Sequence, residues 1–255
     1  RPPVQIGFPQ AYLHAAAEAV VGAMIALYHC QLTGEGQYVD VSMQQAVAWS
    51  LTHAQVFWDL TKSYPRREGA WVTTGITKAR RRATWPCRDG YVAFYMWGGA
   101  EGAKVFPLLV EAMDEDGMAT DYLKEKDWAS WDIFRSSQEE IDHVQVPISN
   151  YFMKHSKREL YEEAVKRGIQ LFPVTTPKDM VENVQLAFRD YWTEVEHPEL
   201  DTKITYPGPF VKLSETPCGI WRRAPLIGEH NEEIYQKELG FSREELITLK
   251  QKGDI

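Results

Sequence analysis

The stretch that decides the fold is QAYLHAAAEAVVGAMIALYHCQLTGEGQYVDVSM, Gln10–Met43. Its first part, Gln10 to Leu32, is rich in alanine and apolar nearly all round, with Glu18 its only formal charge. A helix without a polar face predicts burial on most sides. Pro9 suits the first turn of that helix and Gly34 its C-terminal end; Gly22 in the middle predicts close packing against another element. Thr33-Gly34-Glu35-Gly36-Gln37 then reads as a turn, Tyr38–Met43 as a β-branched strand and Gln44–Leu60 as a second helix. Helix–strand–helix is the interior of an α/β layered domain.

Downstream, Thr61–Arg82 is polar, holds Pro65 and five arginines, and has no clear periodicity, so it reads as a linker. Ala83–Tyr95 (ATWPCRDGYVAFY) predicts a hairpin turning at Arg88-Asp89-Gly90. Helical stretches follow at Ala103–Ala112, Ala129–Phe134 and Val146–Met153. Ser156-Lys157-Arg158-Glu159 is a capping box that opens a helix to Arg167, closed by Gly168, and Thr176-Pro177-Lys178-Asp179 opens another in the same style. These elements predict a second, smaller α+β domain. After the Pro/Gly-rich run Tyr206–Pro209 comes one extended stretch and a final helix capped at Ser242 with Glu245. The expected organisation is a large-domain segment over 1–60, a linker over 61–82, a small α+β domain over 83–205 and a return to the large domain over 206–255.

Composition narrows the function classes. The chain has 255 residues, 44% of them hydrophobic, which suffices for a packed core without staples. A net charge of −8 disfavours nucleic acid as a partner, because phosphate neutralisation needs a clustered basic surface. Cys30, Cys87 and Cys218 lie far apart and predict a reduced, cytoplasmic context. The strongest apolar run, Ala19–Tyr28, is about half of the ~20 residues that cross a bilayer, so no membrane partner is expected. No P-loop, GxSxG elbow or metal-binding spacing occurs, so no metal is expected. Gly34-Glu35-Gly36 follows a helix and lacks a third glycine, which removes it as a dinucleotide fingerprint. The chain opens Arg1-Pro2-Pro3 rather than with Met, which reads as a trimmed start or a piece of a longer polypeptide.

Four segments in order carry a resemblance: TGEGQYVDVSM (Thr33–Met43), WPCRDGYVAF (Trp85–Phe94), RGIQLFPVTTPKDMVEN (Arg167–Asn183) and RRAPLIGEHNEEIY (Arg222–Tyr235). Together they resemble the class III CoA-transferase family, which includes formyl-CoA, carnitine and benzylsuccinate CoA-transferases, with alpha-methylacyl-CoA racemase as a relative. The resemblance implies an α/β fold: a Rossmann-like large domain built from both chain ends, an inserted small α+β domain, and two subunits interlocked as rings. It implies coenzyme A and acyl-CoA as substrates, with a small carboxylic acid as acceptor. It also places residue 1 inside the large domain, so the chain looks like the C-terminal portion of a family member.

The family forms an acyl-carboxylate anhydride and then a thioester on one aspartate upstream of the TGxGQ turn. Counting back without gaps puts Tyr12 at that position, with His14 close after, and no acidic residue lies between Arg1 and Ala17. A phenol cannot form the anhydride. Glu18 is the nearest acid, and Asp40 on the expected strand reads as a structural carboxylate. Some family members are built from two homologous subunits of which one keeps the aspartate. The benzylsuccinate enzyme is similar in this respect, so PQAYLH (Pro9–His14) resembles the subunit without the nucleophile, paired with a catalytic homologue. A racemase-branch enzyme, which would need an aspartate at position 12, and a non-catalytic CoA-binding or structural subunit are the alternatives.

Arg80, Arg81 and Arg82 occupy the place of the family loop that covers the reacting centre. They read either as a grip for a dicarboxylate or for CoA phosphates, or as a solvated linker. Gly98 and Gly99 read as a plain turn or as a backbone that approaches a ligand. These five are the candidate cofactor-binding residues. His230, in the fourth segment, reads as a loop-holding residue.

Overall fold

The computed structural model describes residues 7–62, 66, 68–73 and 76–255, without the side chains of 52, 53 and 61. The opening Arg1-Pro2-Pro3, and Pro65 and Arg67 of the expected linker, lie outside the described residues. The chain divides into two compact units, Arg1–Pro173 and Val174–Ile255.

In the first unit, α1 (Gln10–Thr33) ends as expected: Gly34 takes the left-handed conformation at φ 77° and its N–H donates to Cys30 O. The burial expected of α1 is not met, since none of its residues is buried. An apolar helix is buried only where something covers it, and here the chain following Gly34 covers one stripe. There Val39 lies against Gly22, and a side chain at Gly22 would come 2.8 Å from Val39 Cγ1. With 24 residues and an 18-residue stretch of mean hydropathy 1.4 within it, α1 also has the length and composition to cross a membrane, where the ten-residue run Ala19–Tyr28 taken alone falls short. The strand expected at Tyr38–Met43 is instead an extended segment with no ladder partner among the described residues. The single helix expected after it is two, α2 (Met43–Trp49), capped by Ser42, and α3 (Thr52–Thr61).

The expected linker contains an antiparallel ribbon, β1 (Trp71–Thr73) paired with β2 (Arg80–Arg82). Three consecutive arginines hide the alternation that marks a strand. The predicted hairpin is present as β3 (Thr84–Cys87) and β4 (Gly90–Phe94). Next come α4 (Gly99–Glu115), α5 (Asp121–Glu125), α6 (Gln138–Lys154), α7 (Lys157–Arg167) and β5 (Leu171–Pro173), the last pairing antiparallel with β4. The helix expected at Ala129–Phe134 is a pair of turns. Asp127 accepts from the N–H groups of Ala129 and Ser130, and Asp132 from that of Phe134, which satisfies the backbone locally. α6 starts eight residues before the expected Val146, because Ser137 caps it by accepting from Glu140 N–H and the helix tolerates Pro147 in its interior.

This unit holds the core. Trp85 is fully buried at its centre, its indole N–H donating to Phe94 O at 2.8 Å, with the ring of Phe152 edge-on to it and that of Phe94 tilted. Phe106 stacks on Trp128 at 4.2 Å. The capping box at Ser156 and Glu159 is formed, and the Arg88-Asp89 turn docks on it: Arg88 pairs with Glu159 and Asp89 accepts from Lys157 N–H.

The second unit opens with α8 (Pro177–Val181), headed by the capping box Thr176–Asp179, and α9 (Val184–Phe188). A hairpin that the sequence does not announce follows, β6 (Trp192–His197) and β7 (Thr202–Pro207), turning through Pro198–Leu200 with Asp201 left-handed at φ 48°. Its strands are rich in Glu, Lys and Thr, so they lack apolar alternation. The chain closes with a π-helical stretch at Glu232–Glu238 and α10 (Arg243–Lys252), capped by Ser242 and Glu245 as expected.

Candidate functional site

The β1–β2 ribbon gathers most of the candidate residues. Strand alternation sends Arg81 inward and Arg80 and Arg82 to the opposite face. Arg81 is only 4% exposed. Its guanidinium donates to Met96 O and to the Tyr95 hydroxyl at 3.1 Å, and its Cζ lies 4.4 Å from the Tyr95 ring centre and 5.6 Å from that of Phe134. Burial holds its pKa below the usual arginine value, while Tyr95 opposes that shift. Arg81 is thus an anchor whose terminal donors are committed to the protein, while its buried Nε has no partner among the described residues.

Arg80 and Arg82 share one aromatic surface. Their Cζ atoms sit 5.2 and 4.4 Å from the Trp71 ring centre, and Trp71 is the ladder partner of Arg82. Each such contact is worth about 0.5–1 kcal/mol at exposed sites. The outer edge of β2 is held by α6: the Gln138 side-chain amide accepts from Arg80 N–H at 2.7 Å and donates to Arg80 O at 3.0 Å, while Gln145 accepts from Arg82 N–H at 3.1 Å. Two glutamines thus do what a third strand would do.

Gly98 and Gly99 lie two and three residues beyond the Arg81 acceptor Met96. A Cβ on Gly98 would meet Trp131 O at 2.6 Å, Gly99 is left-handed at φ 61°, and its N–H donates to Trp131 O at 2.9 Å. Both glycines are required by this turn, which serves as the start of α4. The structure therefore links the arginine strand and the glycine pair through Arg81 and Met96.

Tyr12 and His14 are on α1, both exposed, Tyr12 at 66%. Glu18 is exposed on the same helix, and Asp40 is exposed in the extended segment after it.

A second polar network, which sequence reasoning missed, lies in the second unit. His197 is buried, with Nδ1 2.8 Å from Glu199 Oε1 and Nε2 3.0 Å from the Tyr206 hydroxyl. Arg223 joins Glu199 at 2.9 Å and forks onto Glu229, which also accepts from Leu226 N–H. The hydrogen bond with His197 and the charge of Arg223 hold the Glu199 carboxyl below the usual range; Arg223 does the same for Glu229. The signal was present in the segment RRAPLIGEHN, whose Arg223 and Glu229 fold it into a closed loop. His230 lies in that loop. Among the described residues no group of three or more His, Cys, Asp or Glu side chains is arranged to hold a metal ion.

Residues 1–231 match the family model described as CoA-transferase family III. The chain is 34% identical over 267 residues to the succinyl-CoA:(R)-benzylsuccinate CoA-transferase subunit BbsE of Thauera aromatica, covering 99% of this chain and 60% of BbsE. It is 26% identical to the succinyl-CoA–D-citramalate CoA-transferase of Chloroflexus aurantiacus, over 100% of this chain and 60% of that one. It is 27% identical to the formyl-CoA:oxalate CoA-transferase of Streptomyces coelicolor, over 100% and 62%. The chain thus spans about 60% of the length of these relatives. The crystal structure of the hypothetical protein Rv3272 from Mycobacterium tuberculosis superposes with a TM-score of 0.61 at 17% identity, covering 91% of this chain and 56% of that one.

Proposed function

The chain belongs to CoA-transferase family III, and on that premise we propose that it is a subunit of an enzyme that moves CoA between carboxylic acids without itself supplying the nucleophile. The observation that carries this reading is Tyr12 at the position of the family's aspartate, with no acidic residue between Arg1 and Ala17. A carboxylate attacking an acyl-CoA gives an anhydride that the CoA thiolate reopens; a phenol gives an ester and stops the exchange. The nucleophile then belongs to a homologous partner chain, and this chain completes the partner's site. The similarity to a protein named as a subunit of a benzylsuccinate enzyme supports the hetero-oligomer and favours succinyl-CoA and an aryl-substituted succinate as the exchanging pair.

In that assembly residues 1–60 and 206–255 belong to a Rossmann-like large domain, 61–82 link it to a small domain at 83–205, and the two subunits interlock. The unburied apolar surface of α1, from Leu13 to Leu32, supports an interface there, since exposed apolar patches mark interaction sites. We read the cover of α1 as protein rather than lipid, in keeping with a cytoplasmic enzyme. Purification of the full-length protein from its own host tests the reading. A second, homologous polypeptide is expected to copurify, with CoA transfer from succinyl-CoA only when both are present; an active homodimer would refute it.

A further inference from the structure

We propose that the Trp71 face of the β1–β2 ribbon is an oxyanion-binding surface, with Arg80 and Arg82 as the binding pair and Arg81 as the residue that positions them. The ligand is a dianion of the carboxylate or phosphate class, supplied either by the dicarboxylic acid that exchanges CoA or by a phosphate of CoA. This inference rests on the transferase reading and narrows three candidate arginines to two.

Six of the twelve described arginines already have a carboxylate. Arg88, Arg135, Arg158, Arg167, Arg222 and Arg223 each lie within salt-bridge distance of Asp or Glu. Arg80 and Arg82 have no carboxylate partner among the described residues, in a chain with a net charge of −8. Glu68, close by in sequence, accepts instead from Thr73 Oγ1 at 2.6 Å. Both guanidinium groups lie over the Trp71 ring, and neither donates a hydrogen bond to another described residue, which leaves their N–H groups for a ligand.

The pair is also held in place before any ligand arrives. Spaced two apart on one strand, the two residues lie on the same face, with Cα atoms roughly 6.6 Å apart. The strand between them is fixed from behind by buried Arg81 on Met96 O and Tyr95, and along its edge by Gln138 and Gln145. A site ordered in advance loses less on binding than two free side chains would.

The test uses the full-length protein with its accompanying subunit, comparing wild type with the R80Q/R82Q double variant by calorimetric titration with succinate and with CoA. Binding of one of the two ligands is expected to weaken at least about tenfold. Loss for succinate assigns the dicarboxylate, and loss for CoA assigns a phosphate. R158Q, which removes an exposed arginine of α7, is expected to bind both as wild type does. Should the double variant fold poorly, R80K/R82K keeps the charge but not the fork and is expected to weaken the same ligand. The inference is overturned if folded R80Q/R82Q binds both ligands as wild type does, or if wild type binds neither. Failure of the transferase reading looks different: no CoA transfer by the wild-type assembly, whatever the variants bind.

Discussion

Gly102 shows how little room the corner beside the ribbon has. It lies in the first turn of α4, and a Cβ there would sit 2.4 Å from Trp97 O, a backbone atom that cannot step aside. Gly102→Ala is expected to cost about 1–3 kcal/mol, the usual range for overpacking, read as a lowered denaturation midpoint. Glu159 gives the pH response at this scale. Hydrogen bonds from the Ser156 backbone and side chain, with Arg88 beside it, push its carboxyl down to about 2. A depressed carboxylate stabilises the fold above its unfolded value of about 4.3, and that contribution is lost as pH falls toward 2. Glu159→Gln is therefore expected to flatten the stability curve between about pH 5 and 2, measured by denaturant titration at each pH. Such local features were legible in the sequence: the capping boxes at Ser156, Thr176 and Ser242 and the glycine cap at Gly34 all formed, because each is decided within a few neighbouring residues.

At the scale of elements, the decisive contacts are long-range, and the sequence concealed them. Arg81 looks like its two neighbours in the chain, yet it is a core residue; only pairing with Val72 and packing on Tyr95 distinguish it. Arg81→Ala is expected to destabilise the fold by about 1–3 kcal/mol, because Met96 O loses its buried donor. Gln138→Ala removes both bonds to the Arg80 backbone, so hydrogen exchange at the Arg80 amide is expected to accelerate while Trp85 indole exchange stays unchanged. In the second unit, Tyr206→Phe leaves His197 Nε2 without its partner. A loss of about 1 kcal/mol is expected on denaturation. The hairpin bearing both residues went unread because its strands carry charge rather than alternating apolar side chains. The helix expected at Ala129–Phe134 failed for a related reason: Asp127 and Asp132 offer the backbone a nearer partner than a helical turn does.

At the scale of the molecule, what the sequence carried was the family and its order of turns, and what it did not carry was burial. The first two family segments fold at turns or caps, from Gly34 to the Arg88-Asp89 hairpin, and the fourth closes a loop through Arg223 and Glu229. These are architectural positions, which is why the family could be read without its chemistry being visible. The exposed state of α1 could not be read, since an apolar helix is written the same way whether its cover lies in the same chain or another. On the proposed reading, this chain serves CoA transfer without carrying the acyl group. Peptide mass spectrometry of the full-length assembly after incubation with succinyl-CoA tests it most directly. The acyl or CoA adduct is expected on an aspartate of the partner and none on this chain; an adduct on any residue of this chain, Tyr12 and Glu18 included, would overturn the proposal.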